Sequence, residues 1–91
     1  MIEDRTRPRF VRGVRLRWDD VRKQYMLLFP EGALALNSTA GVVLKLCDGK
    51  RTIGAIVAEL EEQYPGANVG NDVRHLISRI SERGLLVYED S

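Results

Sequence analysis

The spacing of the hydrophobic residues changes once along this 91-residue chain, and that change constrains the fold more than any other feature. Over residues 14–19 apolar and polar side chains strictly alternate, which is the period of a half-buried β-strand. Beyond residue 40 the apolar residues instead recur every third or fourth position, as in amphipathic helices. A chain of this length forms one domain, so strands and helices must share a single core.

Three strands are predicted in the first part of the chain. The first covers residues 14–19, and after a turn the second covers residues 23–29. Pro30 ends the second strand, because proline has no amide hydrogen to donate to a neighbouring strand. Residues 33–36, Ala-Leu-Ala-Leu, suit a helix or a strand equally, and the close turn signals on both sides favour a third strand.

Three helices and a short final strand are predicted after residue 36. The side-chain oxygens of Asn37 and Thr52 can accept hydrogen bonds from the first free amides of the first two helices. A third helix, roughly residues 71–83, carries one apolar stripe, and residues 85–88 form a short strand. The sequence therefore predicts an α+β domain of the winged-helix type, with a three-stranded antiparallel N-terminal sheet, three helices and a C-terminal strand.

Basic residues are concentrated at the N-terminus. Residues 1–24 carry eight basic and four acidic side chains, a net charge of +4, whereas the rest of the chain has a net charge of −3. Residues 1–12 contain little apolar pattern, so we expect a flexible basic arm whose order depends on a pairing partner, followed by one domain over residues 13–91. This asymmetry can steer an acidic partner, or it can simply keep a small domain in solution.

Histidine and cysteine, two residue types that often carry catalysis or bind metals, occur once each. Cys47 is the single cysteine and is expected in the core, and His75 is the single histidine and is expected on the surface. The carboxylates form no cluster at metal-ligand spacing, and the glycines form no phosphate-binding motif. We therefore expect no enzyme, no metal and no cofactor.

Two further features bear on where the protein acts. No apolar run approaches the roughly 20 residues that a membrane span requires, and no apolar signal-peptide stretch follows the first five residues. A single cysteine excludes an internal disulfide and fits a reducing compartment. These features predict a cytoplasmic location and no membrane partner.

Two binding functions are compatible with the predicted layout. A winged-helix DNA-binding regulator would use the third helix, but residues 71–83 carry a net charge of only +1, so we expect no nucleic-acid partner. Alternatively, the strand at 33–36 is an open edge to which an extended peptide adds by backbone pairing. The pattern alone does not distinguish such an edge from a strand that merely completes a hairpin.

Several short segments, taken in order, resemble one known family. They are Phe29-Pro30-Glu31-Gly32, Leu36-Asn37-Ser38-Thr39-Ala40 and Leu46-Cys47-Asp48-Gly49, with Arg12-Gly13-Val14-Arg15-Leu16-Arg17-Trp18 before them and Tyr64-Pro65 and Asp72-Val73 after them. By the order and spacing of these segments, over about residues 10–88, the chain resembles the PqqD family of pyrroloquinoline quinone (PQQ) biosynthesis. That family is the prototype of the recognition elements for ribosomally made, modified peptides (RiPPs).

The resemblance implies a peptide-binding protein. Members of the family bind the precursor peptide PqqA and present it to PqqE, a radical S-adenosylmethionine enzyme that holds the iron–sulfur clusters itself. In related recognition elements the peptide lies as an added strand between the third strand and the third helix. Carried over, the peptide-binding residues are Ala33, Leu34, Ala35, Leu36 and Asn37 on the strand and Arg74, Ile77, Ser78 and Ser81 on the helix.

Each of these residues also has a purely structural interpretation. Leu34 or Leu36 must point into the core, and Asn37 can do no more than cap the first helix. Ile77 belongs to the apolar stripe, and Arg74 either pairs with an acidic peptide or remains solvated. The exposed edge and the basic arm would also permit a homodimer formed by exchange of elements between chains.

Overall fold

The computed structural model describes residues 4–66 and 68–89. Its strands are β1 (Arg7–Phe10), β2 (Arg15–Asp19), β3 (Gln24–Phe29), β4 (Gly32–Ala35) and β5 (Leu86–Glu89). Its helices are α1 (Ser38–Lys45), α2 (Ile53–Gln63) and α3 (Gly70–Glu82). The predicted α+β architecture is confirmed, and one further strand, β1, precedes the predicted sheet.

Strands β2, β3 and β4 form an antiparallel sheet in that order. The turn between β2 and β3 is held by Asp19, whose carboxylate accepts hydrogen bonds from the backbone N–H groups of Val21 and Arg22 at 3.0 and 3.2 Å. Lys23 follows with a φ of 56°, in the left-handed region. The aspartate-rich turn in the sequence therefore sets the start of β3 through local hydrogen bonds.

The three-stranded sheet buries one of its two faces against the helices. Leu27 has no exposed surface, and its cross-strand neighbours Leu16 and Leu34 pack against the same core. Tyr25 lies on this face too, and its ring occupies the space above Gly41 of α1, where an added Cβ would come within 2.3 Å of a ring carbon. The glycine thus allows α1 to lie close to the sheet.

Helices α1 and α2 begin at the predicted capping residues. Asn37 accepts a hydrogen bond from the backbone N–H of Ala40 at 2.7 Å, and Thr52 accepts one from that of Ala55 at 3.1 Å. In the described residues no helix is both long and apolar enough to cross a membrane. The almost fully buried helical side chains that form the core are Val43, Leu44, Ile53, Ile56, Leu60, Val73 and Ile77.

Strand β1 pairs with β5 in a second antiparallel sheet, with Arg7 opposite Glu89 and Phe10 opposite Leu86. Arg9 forms an ion pair with Glu89 across this sheet. Residues 7–10 of the predicted flexible arm are therefore a strand, because the C-terminal strand supplies their pairing partner. The division into an arm of residues 1–12 and a domain of residues 13–91 stays a prediction, and residues 1–3 lie outside the described residues.

The segment before β1 is tied to two helices. The carbonyl of Asp4 accepts a hydrogen bond from the backbone N–H of Gly54, and that of Thr6 accepts one from Ile53, both at 2.8 Å. The Asp4 carboxylate also receives two hydrogen bonds from the Arg74 guanidinium, at 2.8 and 2.7 Å. This segment therefore links the start of α2 to α3.

Candidate functional site

Strand β4 is an edge strand with one side open for pairing. The N–H of Leu36 donates to the carbonyl of Tyr25 at 3.0 Å, so the backbone groups of Leu36, and of Leu34 two residues earlier, face β3. Because these groups alternate along an antiparallel strand, those of Ala33 and Ala35 point away from the sheet. Within the described part of the chain no strand pairs with this side of β4. Such an edge can add an extended chain by backbone hydrogen bonding.

A groove of about 420 Å³ runs between this edge and helix α3. One wall consists of residues 34–37, and the other is the flank of α3 that carries Leu76 and Arg79, with Arg83 directly after the helix. Ile80, which is 3% exposed, lies where the groove meets the core. The groove therefore combines backbone groups on one side with apolar and basic side chains on the other.

A second pocket, of about 400 Å³, continues the groove past the end of β4. It shares Asn37, Ala40, Leu76 and Arg79 with the groove and reaches the C-terminal end of α2, where Tyr64 stands at its rim. Its floor consists of core side chains that are each 1% exposed, namely Val43, Leu60 and Val73. The pocket has room for one bulky apolar side chain.

The walls of the groove and pocket carry two arginines. Arg79 lines both cavities, and Arg83 lines the groove. Among the residues that the structure describes, neither forms a salt bridge. Glu82 and Asp72 contribute acidic groups to the groove and the pocket, respectively. A guanidinium without an internal partner is available to a carboxylate of a bound molecule.

The structure separates the predicted site residues into two groups. Residues 33–37 lie along the open edge, and residues 34–37 line the groove. The four predicted helix residues do not line either cavity. Ile77 is fully buried in the core, and Arg74 pairs with Asp4 at 2.7 Å. Ser78 and Ser81 share the helix flank of Arg74 by helical spacing, so the groove lies beside the opposite flank.

The groove residues of α3 carry only a weak sequence signal. The apolar stripe of α3 includes Val73, Leu76, Ile77 and Ile80. Leu76 is the member that remains partly exposed, and it marks the groove flank together with Arg79. Which side of an apolar stripe faces a neighbouring strand depends on the rotation of the helix about its axis, and a single sequence does not record that rotation.

A metal site is not found among the described residues, in which no three His, Cys, Asp or Glu side chains come together. Cys47 is 2% exposed and its thiol donates to the carbonyl of Val43 at 3.5 Å. Burial, together with the negative charge of Asp48, raises the pKa of the Cys47 thiol to about 12. The thiol is therefore protonated at neutral pH and is a poor nucleophile.

Comparison with known proteins gives relatives of similar length. Residues 24–86 match the family model described as Coenzyme PQQ synthesis protein D (PqqD). The PqqA binding protein of Kluyvera intermedia is 39% identical over 83 residues, which cover 90% of each chain. That of Stutzerimonas stutzeri (strain A1501) is 48% identical over 60 residues, which cover 66% of this chain and 65% of the relative.

Two solved structures share the fold. One is the solution NMR structure of the PqqD truncation of Methylobacterium extorquens PqqCD, a functional and stand-alone RiPP recognition element, with a TM-score of 0.78, 33% identity and coverage of 96% of this chain and 95% of that one. The other is the heterocyclase TruD, with a TM-score of 0.69, 25% identity and coverage of 92% of this chain and 12% of that one.

Proposed function

This chain belongs to the PqqD family of coenzyme PQQ synthesis proteins, and from that membership we propose that it binds the ribosomally made precursor peptide PqqA. The relatives that carry the name PqqA binding protein support the peptide as ligand. The observation that carries the proposal is the open edge of β4 beside a groove that α3 lines with apolar and basic side chains.

The proposed binding mode is strand addition. The outward backbone groups of Ala33 and Ala35 pair with the peptide backbone and set its register. Side chains of the peptide that point into the groove contact Leu76, and a bulky apolar residue near the end of the paired segment enters the pocket beside Tyr64. Arg79 binds a carboxylate of the peptide at the junction of the groove and the pocket.

The proposed role of the complex is presentation. The bound peptide is delivered to PqqE, the radical S-adenosylmethionine enzyme, so that the peptide reaches that active site at a high local concentration. This role requires no catalytic step from the chain itself. It needs only a rigid edge that orders one segment of the peptide and leaves the remainder accessible.

A proline substitution tests strand addition. Ala35→Pro removes an outward N–H and places a ring where the peptide backbone would lie, while proline is tolerated at an edge strand. We expect PqqA affinity to fall about tenfold or more, since one hydrogen bond and close backbone contact are lost together. Titration calorimetry measures the affinity, and circular dichroism verifies the fold.

Two further variants serve as controls for this test. Ala35→Ser keeps the N–H and should bind PqqA with nearly unchanged affinity. Leu34→Pro removes an N–H that faces β3, so it should reduce the stability of the sheet itself. Unchanged PqqA affinity in well-folded Ala33→Pro and Ala35→Pro variants would rule out pairing at β4.

A further inference from the structure

The outer face of the three-stranded sheet, which points away from the helices, has a regular composition. Two cross-strand rows of three side chains lie on it next to the Asp19–Gln24 pair, and each row consists of an arginine on β2, a large apolar residue on β3 and an alanine on β4. The rows are Arg15–Leu28–Ala33 and Arg17–Met26–Ala35. An apolar strip thus lies beside two cations.

This outer face is not part of the hydrophobic core. The core and the side chains packed against it include Leu27, Leu16 and Leu34, which lie on the inner face, and none of the four apolar side chains of the outer rows. Both alanines are exposed, and Met26 and Leu28 are half-buried. A hollow of about 550 Å³ lies over Met26 and Leu28, and its other side is formed by the β2–β3 turn with Asp19 and Asp20. The face therefore offers apolar surface for contact with another molecule.

Asp19, which lies on the same face as the two arginines of the rows, pairs with Arg22 and not with either of them. Arg15 and Arg17 are exposed, and neither takes part in a salt bridge within the described part of the chain. By contrast, Arg22 and Lys23 at the hairpin tip each pair with an aspartate of the turn. The positive charge beside the apolar strip is thus available to a partner.

We propose that this outer face is a docking surface for a protein that presents an apolar patch bordered by carboxylates. Arginine and methionine are enriched where proteins meet, and complementary charge orients two surfaces and suppresses wrong partners. The identity of the partner rests on the proposed function. It is the enzyme that modifies the bound peptide.

The docking surface adjoins the proposed peptide site, because β4 belongs to both. The backbone groups of Ala33 and Ala35 point toward the incoming peptide, while their side chains lie on the outer face. Since side chains alternate between the faces of a sheet, a peptide strand added at β4 extends each row by one residue. The enzyme then contacts the sheet and alternate peptide side chains on one continuous surface.

This shared surface couples the two binding events. A peptide that enlarges the docking surface raises the affinity for the enzyme, and linkage requires the enzyme to raise the affinity for the peptide by the same factor. We expect a factor of about five or more, the lower end of typical coupling between two sites. Titrations of the wild-type chain with PqqE, without and with saturating PqqA, measure it.

Charge reversal tests the surface itself. The double variant Arg15→Glu/Arg17→Glu should weaken PqqE binding by about tenfold, more strongly at low salt, and change PqqA affinity less than twofold. Arg15→Gln/Arg17→Gln is the milder variant if reversal disturbs the hairpin. Lys45→Glu/Lys50→Glu changes the net charge equally at exposed positions at and beyond the end of α1, and should leave both affinities unchanged.

The results separate this inference from the proposed function. Unchanged PqqE affinity in folded outer-face variants, or an equal loss in the lysine control, overturns the docking surface. Two other results would also overturn it, because each assigns the face to a different occupant. In one, the wild-type chain is a dimer and these variants dissociate it; in the other, the wild-type chain is retained on a DNA duplex and these variants are not. If the wild-type chain does not bind PqqA, the proposed function is wrong. The affinities of the wild-type chain and the outer-face variants for PqqE, measured without peptide, then still test the docking surface.

Discussion

At the scale of single residues, one ion pair fastens the N-terminal segment to α3. The Arg74 guanidinium donates two hydrogen bonds to the Asp4 carboxylate. This hydrogen bonding, aided by the charge of Arg74 and opposed by burial, lowers the pKa of the Asp4 carboxyl below 3.8. The same bond raises the pKa of Arg74. Arg74 therefore has a structural role in this fold.

The lowered pKa of Asp4 predicts a pH-dependent contribution to stability. The pKa is lower in the folded than in the unfolded chain, so the carboxylate stabilises the fold above pH 3.8, and this effect is lost as the pH falls through the folded-state pKa. Asp4→Asn should lower the free energy of unfolding at pH 7, and this loss should shrink as the pH falls below 3.8 and through the folded-state pKa, because the wild-type carboxyl then also becomes protonated. Urea unfolding followed by circular dichroism measures the free energy of unfolding of the wild-type chain and the variant at each pH.

A matched control for this ion pair lies in the β2–β3 turn. Asp20 pairs with Lys23 at 2.9 Å, but both side chains are largely exposed, so Asp20→Asn should change stability little over the same pH range. A loss of stability for Asp4→Asn that does not shrink as the pH falls below 3.8 would contradict the role assigned to the carboxylate charge.

At the scale of elements, the distance between α1 and the sheet depends on Gly41. The Tyr25 ring fills the space next to the glycine, and this ring also contacts Trp18 edge to face, with 5.1 Å between the centroids. Trp18 itself is 47% exposed. The close approach of α1 places Asn37 and Ala40 at the end of β4, where the groove meets the pocket. Packing beneath the sheet thus sets the geometry of the proposed site.

The contact between α1 and the sheet can be tested with a pair of glycine variants. Gly41→Ala should lower the free energy of unfolding by about 1–3 kcal/mol, because the Tyr25 ring must move to admit a Cβ. Gly54→Ala in α2 is the matched control, since its Cβ would meet no atom closer than 3.4 Å. It should be neutral or slightly stabilising, because alanine favours helices. Similar effects of the two substitutions would contradict this account.

The flank of α3 that faces the peptide is testable in the same way. Arg79→Ala should weaken PqqA binding about fivefold or more, since it removes a charged hydrogen-bond partner from the groove. Arg74→Ala is the control on the opposite flank and should change the peptide affinity less than twofold. It should lower stability, because the ion pair with Asp4 is lost. Titration calorimetry measures the PqqA affinity of each variant. The reverse pattern would support the helix residues expected from the family resemblance.

At the scale of the whole molecule, the groove and the outer sheet face lie on different sides of a single hydrophobic core. The helices and the inner sheet face share the buried side chains, and the N-terminal segment is joined to the C-terminal strand and to two helices. This arrangement leaves β4 at the boundary between the groove and the outer sheet face. In our proposal the four-residue strand β4 therefore binds the peptide through its backbone and the enzyme through its side chains.

The sequence by itself determined the features that depend on neighbouring residues. Alternation over residues 14–19 placed β2 correctly, and helical spacing after residue 40 placed the three helices, because these periods arise within each element. The capping roles of Asn37 and Thr52 were predicted for the same reason. Residues 33–36 were recognisable as a strand because turns enclose them, whereas the prediction that residues 33–37 bind a peptide came from the family resemblance.

Only the tertiary structure decided the features that depend on distant residues. Residues 7–10 become a strand because β5, almost eighty residues later, pairs with them. Arg74 is held by Asp4 across a separation of 70 residues, which leaves Leu76 and Arg79 to face β4. The physical reason is that periodicity specifies a buried stripe on a helix, whereas the packing of the whole chain decides which flank of that stripe meets the strand.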